Sequence, residues 1–340
     1  MPYPRKGSAS DLPGQYLGDS DRQSEISPRV ARAAGVRSPS ARKRQPYITD
    51  VWPTCAVPFS REEHKSVDPE QAELVASTDC RILELPRPFA TPPGIELPSF
   101  DEYGWPTGRK YSPLLEARTP SLATRAITPN FKFARQYEAL SMGEFGIQLA
   151  LAFNPYVVDL REQYGIYNPA DYWRAISDSR TMNRSRLMTI DIVVTYVRPP
   201  HFELHHHGIS IKHARHRHTD SDLRRELRER AAMAQRGWTW ELMRSDTVPR
   251  LELENYAFLW VRIRSTNVQH LYERARLFAA YLKTRSTRGS MNTVLGRVAR
   301  GFGTSVDDAY RLFAAAVAYG FLTLDHTKRL NDKLSIFFIQ

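Results

Sequence analysis

Between Ser141 and Lys212 the chain passes through one almost wholly apolar, helix-like stretch and then three strand-like segments, an order that restricts its architecture more than any other feature. The first stretch reads Ser-Met-Gly-Glu-Phe-Gly-Ile-Gln-Leu-Ala-Leu-Ala-Phe. With Leu140, Phe145, Ile147, Leu149, Leu151 and Phe153 covering most of its surface, it should be buried on more than one side, and Asn154-Pro155 stops it. Residues 156–166 alternate in part through Val158, Leu160, Tyr164 and Ile166, and 187–197 hold the β-branched run Ile-Asp-Ile-Val-Val-Thr; both read as strands. After the break at Arg198-Pro199-Pro200, residues 201–213 read as a third strand, forming a plausible hairpin with the second. Residues 221–236 read as a helix with Leu223, Leu227 and Ala231 on one face, the pairs Arg225/Glu229 and Glu226/Arg230 four apart, and Gly237 as its stop. Trp238, Trp240 and Leu242 then alternate as a fourth strand. Helix, three strands, helix, strand is an α/β order with a sheet covered by helices.

The flanks differ from this core, which spans 131–247. Residues 1–45 are rich in Ser, Arg, Gly and Pro, end in Ala-Arg-Lys-Arg-Gln, and are expected to form a flexible basic tail. Over 46–130 prolines recur from Pro53 to Pro120, so this part reads as an irregular extension arm that packs on something else, with one short helix at 68–77 and one short strand at 81–85. Tyr103, Trp105 and Tyr111 in the arm either anchor it or stack on bases. Residues 248–266 read as a linker, with 251–264 ambiguous between helix and strand. The remainder, 267–340, gives helices at 267–284, 290–300 and 304–320, capped by Ser290 and by Thr304 or Ser305, then strands at 321–325 and 333–339. Three helices and a hairpin make a winged-helix-like pattern, suited to binding DNA or docking a protein.

Lys and Arg number 48 against 37 Asp and Glu, a formal charge of +11 that suits a polyanionic partner such as DNA. The two cysteines, Cys55 and Cys80, form no CxxC pair, so neither a disulfide framework nor a cysteine zinc site is indicated. There is no apolar run long enough to cross a membrane and no signal-peptide core, which gives an expectation of the cytoplasm or nucleoid.

Two charges interrupt the strands. Asp191 lies inside the most β-prone run, where an unpaired carboxylate is costly unless paired or metal-bound. Lys212 closes the apolar alternation Ile209-Ser210-Ile211-Lys212 on the next strand. Opposite anomalies on adjacent strands point to one site or to a strand-end ion pair. Glu144 stands three residues after Ser141, the spacing of a capping box, and is also placed to offer a carboxylate to that site. Carboxylates holding hard cations beside a phosphodiester, with a lysine to orient the attacking water, constitute a hydrolytic centre. Seven of the ten histidines fall within 201–218, and with Arg215, Arg217, Arg224 and Arg225 they read as a solvated or phosphate-facing basic edge that could guide DNA, in preference to a zinc site.

Taken in order, Ser141 to Leu151, Asp159-Leu160-Arg161-Glu162-Gln163-Tyr164, Thr189-Ile190-Asp191-Ile192-Val193, Ile209-Ser210-Ile211-Lys212 and the charged helix before Trp240 resemble the TnsA-like transposon endonucleases, heteromeric transposase subunits with a restriction-enzyme-like PD-(D/E)XK core. The similarity covers about 131–246. It implies a Mg²⁺-dependent DNA endonuclease, with two ions and hydrolysis of one strand at each transposon end. Glu144 would be the helix carboxylate, Asp191 the metal-bridging aspartate and Lys212 the catalytic lysine, with Glu144, Asp191 and the Ile211 carbonyl as metal ligands. It also implies a DDE transposase and an AAA+ regulator as partners beside DNA. Where the family often has Gln two residues before the lysine, this chain has Ser210, leaving the Ile211 carbonyl, the Ser210 hydroxyl or water as candidates for the second ion. A self-contained PD-(D/E)XK restriction or repair nuclease and a non-catalytic DNA-binding adaptor are the alternatives.

Overall fold

The computed structural model describes residues 80–113, 126–133, 135–168, 170–171, 174, 177–178 and 187–339. The tail 1–45, the helix expected at 68–77 and Cys55 lie outside the described residues. The architecture is mixed α/β, built on a four-stranded mixed sheet of order β3-β4-β5-β6. Strands β3 (Val157–Tyr167), β4 (Leu187–Val197) and β5 (Leu204–Lys212) pair antiparallel, and β6 (Thr239–Arg244) adds parallel to β5. A short hairpin, β1 (Ala126–Asn130) with β2 (Arg135–Ala139), precedes helix α1 (Met142–Ala152). Helix α2 (Asp220–Ala234) connects β5 to β6, the crossover that a parallel pair requires. Its N-terminus is fixed by a reciprocal capping box between Thr219 and Asp222.

The two sheet faces are both covered. On one, Leu160, Ile192, Val194, Tyr196 and Ile209 pack with Ile147, Leu149 and Leu151 of α1; on the other, Tyr164, Ile166, Ile190, Val193, Trp238 and Trp240 pack with Met233 of α2. Alternation slips at one rung. Ile190 and Val193, three apart on β4, share the second face, and so do Arg161 and Tyr164 on β3, which both bond to Asp101. Between them the register sets Glu162 opposite Ile192 and Tyr164 opposite Ile190, so the slip falls at Gln163 and Asp191. Gln163 takes φ 48°, in the left-handed region. The β4–β5 ladder ends here too: it runs from Val197–Leu204 to Ile192–Ile209, after which residues 210–212 pair only with β6. The strands therefore part at Asp191, and the charge escapes both apolar layers.

The arm clamps both faces. Ile82 is fully buried, its carbonyl accepts from Asn154 Nδ2 at 2.8 Å, and the strand expected at 81–85 is instead a 3-10 turn, Ile82–Glu84. Prolines at 86 and 88 allow no strand ladder, and the backbone donors and acceptors go to side chains of the body. Further on, Tyr103, Trp105 and Tyr111 are buried against the second face, and Tyr111 Oη donates to Glu162 O at 2.8 Å. These aromatics anchor the arm and are closed to bases.

Residues 248–266, read as a linker, are mostly helix α3 (Arg250–Ile263), which packs on α1 and on the last helix. Helices α4 (Tyr272–Lys283), α5 (Met291–Phe302) and α6 (Val306–Ala318) follow, with Ser290 and Ser305 capping α5 and α6. One continuous apolar cluster joins them to α1 and the sheet. Buried Lys132 ties the parts directly, donating to Asn154 O at 2.8 Å beyond α1 and to Ala318 O at 3.5 Å at the end of α6. The expected terminal hairpin is reduced to a single bridge, Leu324–Phe338. Two backbone bonds flank it, Asp325 N–H to Phe337 O at 3.0 Å and Ile339 N–H to Thr323 O at 2.9 Å; between the segments, Lys328 O and Leu330 N–H bond to Asn255 of α3, and Leu334 O and Asp332 O accept from the first residues of α5.

Candidate active site

The first turn of α1 reaches the ends of β5 and β6 because Gly143 has no side chain. A Cβ there would stand 2.5 Å from Ser245 Cβ. Ser245 in turn donates its N–H to Lys212 O at 2.8 Å. Glu144, the next residue of α1, is held by a variant of the capping box: Ser141 Oγ accepts its N–H at 3.1 Å, and its Oε2 accepts Leu140 N–H at 2.9 Å. The cap fixes the carboxylate; it does not consume it.

Asp191 lies in the gap between β4 and β5, where its Oδ2 accepts Ile211 N–H at 2.7 Å. In an extended strand a residue's N–H and C=O project to the same edge and successive residues alternate. Because Lys212 O turns toward the β6 side to meet Ser245, the Ile211 carbonyl turns with its N–H toward Asp191. Burial first and the Asp191 charge second raise the Glu144 carboxyl to about 7, against the bonds from Leu140 and Ser141. Burial also raises Asp191, opposed by the Ile211 N–H and the Arg225 guanidinium. The Asp191 charge thus reaches the Glu144 carboxyl, whereas the acid that raises Asp191 beside burial is Glu229.

The other expected members are placed less simply. Lys212 follows Ile211, but its Nζ donates to Asp222 Oδ1 at 3.0 Å, on the first turn of α2. His216 Nε2 and the Thr219 hydroxyl bond the same carboxylate, at 3.0 Å and 2.7 Å, and hold Asp222 far below the usual carboxylate range. Ser210 is buried and gives its hydroxyl to Glu229 of α2, which also accepts Arg225 Nε at 2.7 Å, so Ser210 is committed away from the gap. Asp222, Glu229 and Gln163 were not singled out in the sequence. For Asp222 the Thr-x-x-Asp spacing was a readable signal; Glu229 looked like half of a surface pair with Arg225 yet is buried.

The histidines divide. His207 is buried, bonded to Thr239 Oγ1 at 2.7 Å and Glu241 Oε1 at 2.9 Å; His206 packs on Trp238, and burial lowers it to about 4. Beyond β5, His216 and His218 turn toward the acids Asp222 and Glu226, while Arg215 and Arg217 between and before them are exposed. The basic edge is therefore a loop with histidines stitched inward and arginines facing solvent.

Two carboxylates and a carbonyl are hard oxygen donors, the set Mg²⁺ takes, and a cation between Glu144 and Asp191 would relieve their repulsion. Among the described residues no group of three or more His, Cys, Asp or Glu is arranged to hold a metal. No family model matches the chain, and neither does any curated protein. Among the described residues no helix is long and apolar enough to cross a membrane.

Proposed function

We propose that this protein is a metal-dependent DNA endonuclease with a PD-(D/E)XK core and a winged-helix-like C-terminal part, acting as the strand-cleaving subunit of a TnsA-like heteromeric transposase. The observation that carries the reading is the Asp191 carboxylate seated on Ile211 N–H where β4 and β5 part, with its charge reaching the Glu144 carboxyl at the start of α1. Glu144, Asp191 and the Ile211 carbonyl would hold Mg²⁺, which supplies charge neutralisation at the scissile phosphate and a more acidic water. The chain's own residues do the rest. The cap keeps Glu144 pointed into the gap, and Ile211 N–H keeps Asp191 from rotating. Lys212, handed over from Asp222 when a phosphate arrives, orients the attacking water and offsets charge on the phosphate oxygens. Arg215 and Arg217 give the duplex backbone a place to rest beside the gap.

In this reading a DDE transposase completes the cut and an AAA+ regulator docks on the terminal helices. The test is cleavage of duplex DNA with Mg²⁺ or Mn²⁺, by the protein alone and with any DDE transposase encoded beside it. Cleavage of transposon-end DNA that needs the transposase and is lost in Asp191→Asn supports the proposal. Efficient cleavage alone identifies a self-contained nuclease, and DNA binding with no cleavage under either condition identifies an adaptor.

A further inference from the structure

We infer that duplex DNA is held through its phosphates, without regard to sequence, on a basic face made by the end of α4, the loop after it and the outer side of α5. The helix that a winged-helix pattern assigns to DNA is not the one that binds it. In a helix-turn-helix the later helix enters the major groove and contacts base edges from its N-terminal turns. Here that helix is α6, and its surroundings close it off. From Ala309 to Ala318 every residue but Arg311 is buried, because α3, α4 and α5 all pack on it. The end left open carries Asp307 and Asp308 in its first turn, which would meet phosphates with like charge.

Between Glu273 and Asp307 the chain has no acidic residue, and packing gathers four exposed arginines of that stretch: Arg285, Arg288, Arg297 and Arg300. Arg285 lies over the Tyr281 ring, 4.5 Å from its centroid, and donates to Tyr281 Oη at 2.9 Å. That hydroxyl rests against α5 at Gly301, where a Cβ would stand 2.1 Å from it, so the absent side chain lets the end of α4 come in beside Arg300. Arg297, one turn earlier on α5, donates to Ser286 O at 3.0 Å and Arg288 O at 2.7 Å and draws the loop down over the helix. Gly289, at φ 105°, turns the chain back into α5. None of the four arginines is in an ion pair among the described residues, and the acids at the margins are engaged elsewhere: Glu273 with Arg276, Asp308 with Arg311 and Asp332 with Arg262. Cations gathered without an acid repel one another, a cost that a polyanion removes. A protein partner would need apolar anchors, yet no large apolar side chain is exposed between Leu277 and Val306. A duplex needs none, and the exposed hydroxyls of Ser286 and Thr293 add donors of the kind that bond phosphate oxygens.

The experiment measures binding of the full-length protein to two short duplexes of unrelated sequence by fluorescence anisotropy across a salt series. EDTA is present throughout, so no cleavage occurs and the result stands apart from the metal-site reading. The first variant combines Arg288→Gln with Arg300→Gln, whose side chains make no hydrogen bond among the described residues and whose loss should leave the melting temperature at the wild-type value. The slope of log affinity against log salt should fall by about two, and affinity should drop by the same factor on both duplexes. Arg288→Lys with Arg300→Lys keeps the charges and should keep the slope. Arg250→Gln with Arg276→Gln removes two exposed arginines that lie off this face, paired with Glu254 and Glu273, and should change the slope little. An unchanged slope in the first variant overturns the inference and leaves the face to an acidic protein. An equal fall in the Arg250/Arg276 control means that net charge alone is read, a fall in the lysine variant means that the arginines act through local structure, and a loss on one duplex only means that bases are read; each of these also overturns it.

Discussion

Replacing Glu144 with Gln isolates the charge that we place in the metal site from the cap that the same side chain makes. Glutamine can accept Leu140 N–H as glutamate does and serves equally in capping boxes, so the start of α1 should survive. The charge is another matter. The carboxyl is raised from 4.5 to about 7, by burial first and by Asp191 second. Between those two pH values the folded protein holds a proton that the unfolded chain releases, so this group's contribution is fully present below 4.5 and is lost as pH rises through 7. The slope approaches ~1.4 kcal/mol per pH unit, and the total is about 3 kcal/mol.

Without divalent cations, Glu144→Gln should therefore match wild type near pH 4 and exceed it by up to about 3 kcal/mol at pH 8. In a chain of this size that is a rise in Tm of roughly 4 °C. Adding Mg²⁺ at pH 8 should close the gap from the wild-type side, since a ligand at a hundred times its Kd stabilises by about 2.7 kcal/mol. The assay is chemical or thermal unfolding at four pH values, in EDTA and in Mg²⁺. Parallel pH profiles for the two proteins, or equal Mg²⁺ responses, would refute the argument, because either result means that Glu144 carries no strained charge for a cation to relieve.

Four further outcomes follow from the same geometry. Asp191→Asn should fold, melt slightly higher in EDTA, and lose cleavage by orders of magnitude, since each 1.36 kcal/mol of lost transition-state stabilisation is about tenfold in rate; full cleavage by the folded variant would remove Asp191 from the site. Asp222→Asn frees Lys212 from its 3.0 Å partner and should change the cleavage rate severalfold while leaving the Mg²⁺ midpoint in melting curves unchanged, a split that rate and binding measurements read separately. Arg215→Ala with Arg217→Ala should reduce the slope of log affinity against log salt by about two, measured by fluorescence anisotropy on duplex DNA in EDTA. Burial lowers Lys132 from 10.5 to about 7, so its cost to stability grows as pH falls from 10.5 to about 7 and is constant below; Lys132→Met should flatten that part of the unfolding profile.

Much of the core could be read from the chain because its elements are locally determined. Asn154-Pro155 stops α1, the β-branched run makes β4, and Ser290 and Ser305 cap the helices they precede. The arm was illegible for the opposite reason. Proline-rich chain has no periodicity of its own, and Ile82 or Trp105 becomes a core residue only through partners far along the chain, Asn154 for the first and Tyr164 on β3 for the second. The terminal hairpin forms only in outline: the segments expected as strands pair at Leu324–Phe338 with bonds from Asp325 N–H to Phe337 O and from Ile339 N–H to Thr323 O, while the expected turn is tied to Asn255 of α3 and to the start of α5. Leu223 and Leu227 were read as the apolar face of α2 but are 50% and 56% exposed, because the helix turns Met233 and the buried Glu229 to the sheet instead. A polar anchor, not a leucine stripe, docks that helix.

The candidate site shows the same division at higher stakes. Asp191 and Lys212 announced themselves as charges where apolar residues belong, but the sequence cannot tell an ion pair between them from a shared site. The structure separates the two: Lys212 is paired with Asp222, whereas Asp191 faces a backbone N–H and a second carboxylate. A strand-end ion pair would have satisfied both charges and left Glu144 a plain capping residue. The cap holds Glu144 within reach of the Asp191 charge, so a capping role and the proposed site role are compatible. Held by Leu140 and Ser141, Glu144 cannot swing into solvent to escape the neighbouring charge. A carboxylate fixed where its own charge is disfavoured would be stabilised by a cation in the proposed site, and the pH slope of Glu144→Gln against wild type measures how strongly its charge is disfavoured without one.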